Sequence, residues 1–356
     1  MGRNYAVFLL FVMISMGVNF NMPKKIIDQI QMVTVAGHDL AENGKVTTTV
    51  VTPFFPAESQ QKDLRYTGTA NSIYKNKLKL NEQASEQLLD AKMMMSMYNK
   101  DLAKKGLSNY VRYLLRDPSI GNALYLAVVE DSSEDFLNTV KFSKGVGKYM
   151  EDLMRHNVKH GPLPMSNLKT FSSGLISKGQ DPFLPVFGLK KGHPRVKALA
   201  FFDEDKLVAT IPIEKASVFK KLYESVEDGQ YNIAASDFKA SIQNMDSSRH
   251  INVVQKNGQI EVTINVQMDG VIREFSKDRA SRYLTEIEKK VQKDFRKNAK
   301  RLIDRFQELG VDPLGIGERA KEQIRDVQQK KFKDVYPDIP ITVKTDMVLT
   351  EYGVRN

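Results

Sequence analysis

The sequence predicts a multi-domain α+β protein with mixed and antiparallel sheets, flanking helices, and a C-terminal meander followed by a long helix. Three observations predict it. Between 259 and 268, Ile260, Val262, Ile264, Val266 and Met268 alternate with Glu261, Thr263, Asn265 and Gln267, the pattern of an antiparallel strand with one wet face. Just downstream, Leu284, Ile287, Val291, Phe295, Ala299, Leu302, Phe306 and Leu309 step by three and four, which makes one apolar helix stripe. Upstream, strand-like and helix-like segments alternate, as an α/β or α+β unit requires. A chain of 356 residues has room for two or three cores. Its 41% apolar and 27% charged residues exclude wholesale disorder.

The elements follow in order. Arg3 and the apolar run Tyr5 to Ile14 read as a secretory signal, so residues 1–20 are expected to be a signal peptide or signal anchor, and the rest to lie outside the cytoplasm. Gln29 to Val35 reads as a strand, Glu42-Asn43-Gly44 as a turn, and Lys45 to Thr52 as a second strand rich in β-branched residues, ended by Pro53 and Pro56. Residues 57–76 read as a loop with one short extended piece. Asn81 to Lys105 reads as a helix, with Leu88, Leu89, Met93 and Met97 at helical spacing and Gly106 as its stop. The methionines at 93–97 read as core filler. Leu107 to Leu115 is a short helix broken by Asp117-Pro118, and Ala123 to Val129 is a strand buried on both faces. Short helices are expected near 132–140, 147–157 and 166–177, the last capped by Ser166 or Asn167. Leu189 to Pro194 reads as a linker, which divides the chain into an N-terminal domain, 22–190, and a C-terminal region, 195–353.

Within the C-terminal region, a small subdomain at 195–245 holds strands Val196 to Phe202 and Leu207 to Ile211 around the acidic turn 203–205, then a helix near 214–226. Residues 246–353 form the second unit. There, His250 to Gln255, the Asn257-Gly258 turn, Gln259 to Met268, an Asp269-Gly270 turn and Val271 to Phe275 make the meander. The long helix at 277–309 stops at Gly310, a natural C-cap before Asp312-Pro313. A second helix at 317–333 and an alternating strand from Ile341 to Leu349 complete the unit.

Composition narrows the chemistry. With no cysteine, disulfides, thiol catalysis and Cys-based metal sites are excluded. His156 and His160 share a helix face, but no carboxylate stands between them and Gly161-Pro162 ends the helix, so they read as cations at a helix C-terminus. Gly145-Val146-Gly147-Lys148 lacks the spacing and the Ser/Thr of a phosphate loop. No Gly-x-Ser-x-Gly elbow is present. No catalytic, cofactor-binding or metal residue is assigned, and a non-enzymatic protein without cofactors is expected. The net charge is +10, and between Arg273 and Lys333 there are 18 Lys/Arg against 11 Asp/Glu. Lys289, Lys293, Arg296 and Lys300 lie on one side of the long helix and form a candidate face for an anionic membrane surface or a partner. The alternative is a solvated face laced with i,i+4 pairs. Nucleic acid is not expected, because acids interleave with the bases and the phenylalanines fall on the buried stripe.

Six blocks, in order, resemble the Ger(x)C family, the C subunits of nutrient germinant receptors in endospore-forming bacteria. They are Lys25 to Val33 with Gly37-His38-Asp39; Asp101 to Leu107 with Arg116-Asp117-Pro118; Asp181-Pro182-Phe183-Leu184-Pro185; Ala200 to Asp203 with Asp205 to Val208; Asp312-Pro313-Leu314-Gly315-Ile316-Gly317; and the closing Tyr352-Gly353. The resemblance implies a non-catalytic α+β protein on the outer face of the spore inner membrane, acting with membrane-embedded A- and B-type subunits. One departure stands out. Family members are typically lipoproteins whose lipidated cysteine would fall near Asn21, and neither cysteine nor tryptophan occurs here. The protein is therefore expected to be peripheral or signal-anchored, not lipidated through cysteine. Rival readings are an extracytoplasmic binding module for cell-wall polymer or peptide, and a secreted hydrolase with a carboxylate pair in a closed pocket.

Overall fold

The computed structural model describes residues 30–54, 62–177, 179–234, 238–277, 280–324 and 329–351. The N-terminal apolar run, the expected cysteine position and Tyr352-Gly353 lie outside these. The fold is α+β with two main sheets.

The first sheet has eight strands, in the order β10-β9-β8-β7-β6-β2-β3-β4. In chain order they are β2 (Val35–Leu40), β3 (Val46–Phe54), β4 (Lys62–Ala70), β6 (Met95–Asn99), β7 (Tyr125–Val129), β8 (Phe183–Lys190), β9 (His193–Asp203) and β10 (Lys206–Pro212). The two short strands β1 (Ile30–Met32) and β5 (Gln87–Leu89) pair in parallel beside it. Its four central strands, β2, β6, β7 and β8, run parallel, and antiparallel strands flank them on each side. Parallel strands need crossover helices, and those helices cover both faces. On one face lie α4 (Ser133–Thr139) and α5 (Val146–Lys159), packed against Met95, Met97, Ala127 and Val129. On the other lie α2 (Lys100–Lys105), α3 (Ser108–Arg116) and α6 (Leu168–Ser177), against Tyr98, Leu126 and Val128. Helix α1 (Ile73–Asn81) packs by Leu80 under the β3–β4 end. Asn167 caps α6, accepting from the Thr170 N–H at 3.0 Å, while Ser166 donates to the Phe183 carbonyl at 3.0 Å.

Four expectations for this half are corrected. Residues 57–76 contain the nine-residue strand β4 and the start of α1; β4 reads as a loop because it is a polar edge strand. The helix expected over Asn81–Lys105 is instead β5, β6 and the six-residue α2. A strand covered on both faces shows no alternation, so its apolar run also satisfies helical spacing. Met95 and Met97 are fully buried core residues. Pro53 does not end β3; it pairs with Asp63 inside the hairpin. Finally, Leu189 to Pro194 is no linker. It is a hairpin whose two-residue turn, Lys191-Gly192, has φ of 52° and 78°, the doubly positive geometry that matches strand twist. Strands β9 and β10, expected with the C-terminal region, complete the N-terminal sheet.

The second sheet has the order β11-β12-β13-β14. Its strands are β11 (Gly229–Ala234), β12 (Lys239–Lys256), β13 (Gln259–Phe275) and β14 (Ile341–Glu351). Helices α7 (Ile213–Tyr223), α8 (Leu284–Leu309) and α9 (Ile316–Gln323) pack around its apolar face, and α10 (Gln329–Val335) follows. The stripe of α8 buries Ile287, Val291, Phe295, Ala299, Leu302 and Phe306 as its spacing predicts. Gly310 caps it at φ 66°, and the Gly310 and Val311 N–H groups bond the Gln307 and Phe306 carbonyls. Two expectations change here. No turn occurs at Asp269-Gly270: β13 runs straight through, and a Cβ on Gly270 would meet Ile242 at 2.8 Å and Met347 at 3.0 Å. The helix expected over 317–333 is two helices, with residues 325–328 between them outside the description. Strand β14 pairs with β13 in parallel, after a crossover through the helices.

The two sheets share one continuous core. Phe201 on β9, Phe219 on α7 and Phe306 on α8 stack edge to face at 4.8–5.9 Å, and Phe183 joins them at 5.0 Å from Phe219.

Candidate functional site

The four basic residues singled out in the sequence share one exposed side of α8, opposite its buried stripe. Their environments differ. Arg296 donates to the Thr345 hydroxyl on β14 at 2.9 Å, and Lys300 is paired with Asp304 at 2.8 Å. Lys289 and Lys293 have no ion-pair partner among the described residues. The face is thus partly laced, as an exposed helix of mixed charge should be, with two lysines left to solvent.

The sequence blocks that carried the resemblance meet one another in space. Gly37 lets β2 approach α4: a Cβ there would stand 2.6 Å from the Ser133 hydroxyl. Asp39 beside it accepts from the Ser133 and Glu134 N–H groups at 2.7 and 2.9 Å, capping α4. Gly106, at φ 127°, ends α2 where Asp205 arrives from the β9–β10 turn. The Asp205 carbonyl and carboxylate accept from the Leu107 and Ser108 N–H groups at 3.0 and 2.9 Å. Two of the three Asp-Pro motifs, those at 181 and 312, interlock across 131 residues. Asp312 donates its N–H to the Asp181 carboxylate at 2.6 Å, and Asp181 donates its N–H to the Asp312 carbonyl at 2.9 Å. The Asp312 carboxylate accepts from the Gly317 N–H at 2.7 Å, closing the loop ahead of α9. Burial pushes the Asp312 carboxyl up to about 7, outweighing the amides that stabilise its charge, and the nearby Asp181 adds to the rise. Burial likewise raises Asp181. This is a buried carboxylate pair, and both members accept from backbone N–H groups, so it joins distant chain segments. Periodicity gives no sign of the pairing; the repeated Asp-Pro was its one trace in the sequence.

His38 lies buried between β2 and α3. It is stacked on Tyr98 at 5.4 Å, tilted against Tyr110 at 5.2 Å, and bonded through Nδ1 to the Thr48 hydroxyl at 3.0 Å. Burial lowers it to about 4, so the ring is neutral at pH 7, and raises Tyr110 to about 12. The adjacent cavity of about 40 Å³ holds a few waters at most. At its edge Lys77 pairs with Asp90 at 2.7 Å, and Tyr113 donates to the same carboxylate. His156 and His160 stand 5.5 Å apart at the end of α5, and His160 bonds Asp228 at 2.9 Å. No group of metal-ligating side chains occurs among the described residues. Gly145 takes φ 81° ahead of α5, whose Val146 N–H donates to Asp63 at 2.9 Å, and a Cβ on Gly147 would collide with Thr34.

Two family models match the chain in sequence. The spore germination protein N-terminal domain matches residues 23–189, and the spore germination B3/GerAC-like C-terminal domain matches residues 197–353. The chain belongs to the Ger(x)C family of spore germination proteins. The spore germination protein GerQC of Bacillus cereus is 24% identical over 353 residues, covering 97% of this chain and 98% of its own. The putative spore germination protein YfkR of Bacillus subtilis (strain 168) is 22% identical over 271 residues, covering 72% and 70%. Among solved structures, the crystal structure of the GerBC protein has the same fold, with a TM-score of 0.60 at 15% identity over 89% of this chain and 97% of that one. A role in spore germination comes with membership of the Ger(x)C family. In this member, residues of five of the six Ger(x)C blocks build the β2–α4, α2–β9/β10 and 181–312 crossings, so those residues set architecture.

Proposed function

We propose that this chain is the non-catalytic, extracytoplasmic C-type subunit of a spore nutrient germinant receptor, working with membrane-embedded A- and B-type subunits on the outer face of the spore inner membrane. The observation that carries the reading is the ordered match of both family models, which together span residues 23–353. Among the described residues no helix is long and apolar enough to cross a membrane, which suits a peripheral or N-terminally anchored subunit. With no cysteine available for a lipid thioether, a basic surface gains importance as a second membrane signal. The exposed Lys289, Lys293, Arg296 and Lys300 supply one.

The test is affinity capture from detergent-solubilised spore membranes through a C-terminal tag, with mass spectrometry of the partners. Recovery of one large multi-spanning protein and one transporter-like protein supports the reading. A protein found wholly in the soluble fraction, with neither partner, overturns it.

A further inference from the structure

A polar cleft of about 630 Å³ opens where β12, the end of α7 and the start of α9 come together. Its volume lies within the range of small-molecule sites, roughly 300–1,000 Å³. Arg249 on β12 lines it, half-buried, with its guanidinium 6.0 Å from the centroid of the Tyr223 ring. Among the described residues Arg249 has neither a hydrogen-bond acceptor nor an ion-pair partner.

The surrounding carboxylates are otherwise occupied. Glu318 is held by Lys321 at 2.7 Å, and Glu322 by Arg319 at 2.7 Å. Glu224 accepts from the Met165 N–H at 3.2 and 3.3 Å. Burial lowers the Arg249 pKa and the like charge of Arg319 lowers it further, only partly offset by the negative charge of Glu224 nearby. A guanidinium that loses hydration without gaining an acceptor is destabilising, and an incoming anion removes that cost.

We infer that this cleft binds a small organic monocarboxylate bearing hydroxyl groups, its carboxylate forked on the Arg249 guanidinium. The planar fork of arginine matches two carboxylate oxygens. The Tyr223 ring lies beside the guanidinium, 6.0 Å from its centroid, where the π face favours a cation. Glu224, Glu318 and Glu322 around the cleft repel a phosphate dianion, and their free lone pairs accept from ligand hydroxyls. The inference does not depend on the receptor assignment.

The test is calorimetric titration of the full chain, in buffer free of carboxylates, with gluconate, with sorbitol as the same polyol lacking the carboxylate, and with inorganic phosphate. Gluconate is expected to bind saturably with a Kd of the order of 1 mM, sorbitol and phosphate not at all. Arg249→Gln abolishes the binding, and Arg249→Lys weakens it at least about tenfold by losing the fork. Without ligand, Arg249→Gln unfolds at the wild-type temperature or above, because it removes a desolvated charge. A flat gluconate titration, equal binding of sorbitol or phosphate, or undiminished binding by Arg249→Gln overturns the proposal. So does a lowered unfolding temperature of Arg249→Gln, which marks Arg249 as structural.

Discussion

The eight-stranded and the four-stranded sheets put similar residues to different use. In the first, the central parallel strands are covered by helices on both faces, and every residue from Leu126 to Val129 is at most 2% exposed. In the second, only one face is covered. Ile264, Val266 and Met268 point into the core, while Gln267 on the same strand and His250, Asn252, Lys344 and Asp346 on the strands beside it stay at or near solvent. The first sheet is therefore a store of stability, and the second has an exposed polar face. The wide sheet fixes the frame; the open sheet, the basic side of α8 and the Arg249 cleft are where contacts with other molecules can change without touching the core.

Four measurements sharpen or break that contrast. The largest effect is expected at the closed sheet. Phe187 on β8 is fully buried beside Phe136, and Phe187→Ala should cost about 3–5 kcal/mol in denaturant unfolding. A cost below 1 kcal/mol would mean that this strand is not part of the frame.

Next comes the seam between the halves. Asp312→Ala leaves the Gly317 N–H without its acceptor, for a loss of about 1–3 kcal/mol. That loss depends on pH. The folded state holds the Asp312 proton up to about 7, whereas the unfolded chain releases it near the ordinary carboxylate value. Folded protein thus binds more protons between those limits, and wild-type stability falls as pH rises from about 4 to about 7. The variant lacks this term, so its deficit should be larger at pH 5 than at pH 8. An equal deficit at both pH values would show that Asp312 does not titrate in this window.

A smaller effect is expected at Gly310, whose φ of 66° is strained for any residue with a Cβ. Gly310→Ala should cost about 1 kcal/mol, read as a shift in urea midpoint without a change in slope. The smallest stability effect belongs to the open side. Reversing Lys289, Lys293 and Lys300 to Glu should move stability by no more than about 0.5 kcal/mol. The same triple variant should nevertheless lose binding to anionic liposomes, since each lysine near a charged membrane contributes about 1 kcal/mol. Unchanged liposome binding would remove the membrane role of this face.

What was legible in the sequence follows from periodicity. The half-buried strand at 259–268, the stripe of α8, the Gly310 cap and the Asn257-Gly258 hairpin are local patterns, each set by residues within a turn or two of one another. Strand β6 at 95–99 fits helical spacing, because burial on both faces removes the alternation that distinguishes a strand. Gly270 was read as a turn; close packing of Ile242 and Met347 is the reason for a glycine there, and neither neighbour is near in sequence.

By itself, then, the sequence determined the fold class, the elements with one wet face, the absence of cysteine chemistry and the family blocks. Only the tertiary structure decided that Lys191-Gly192 is a hairpin inside a shared sheet, that Asp181 and Asp312 lock together, and that Arg249 opens into a cleft without an acceptor. Local pattern records which side of an element faces water. The partner that an element meets can lie far along the chain, 131 residues for Asp181 and Asp312, and no short-range periodicity encodes it.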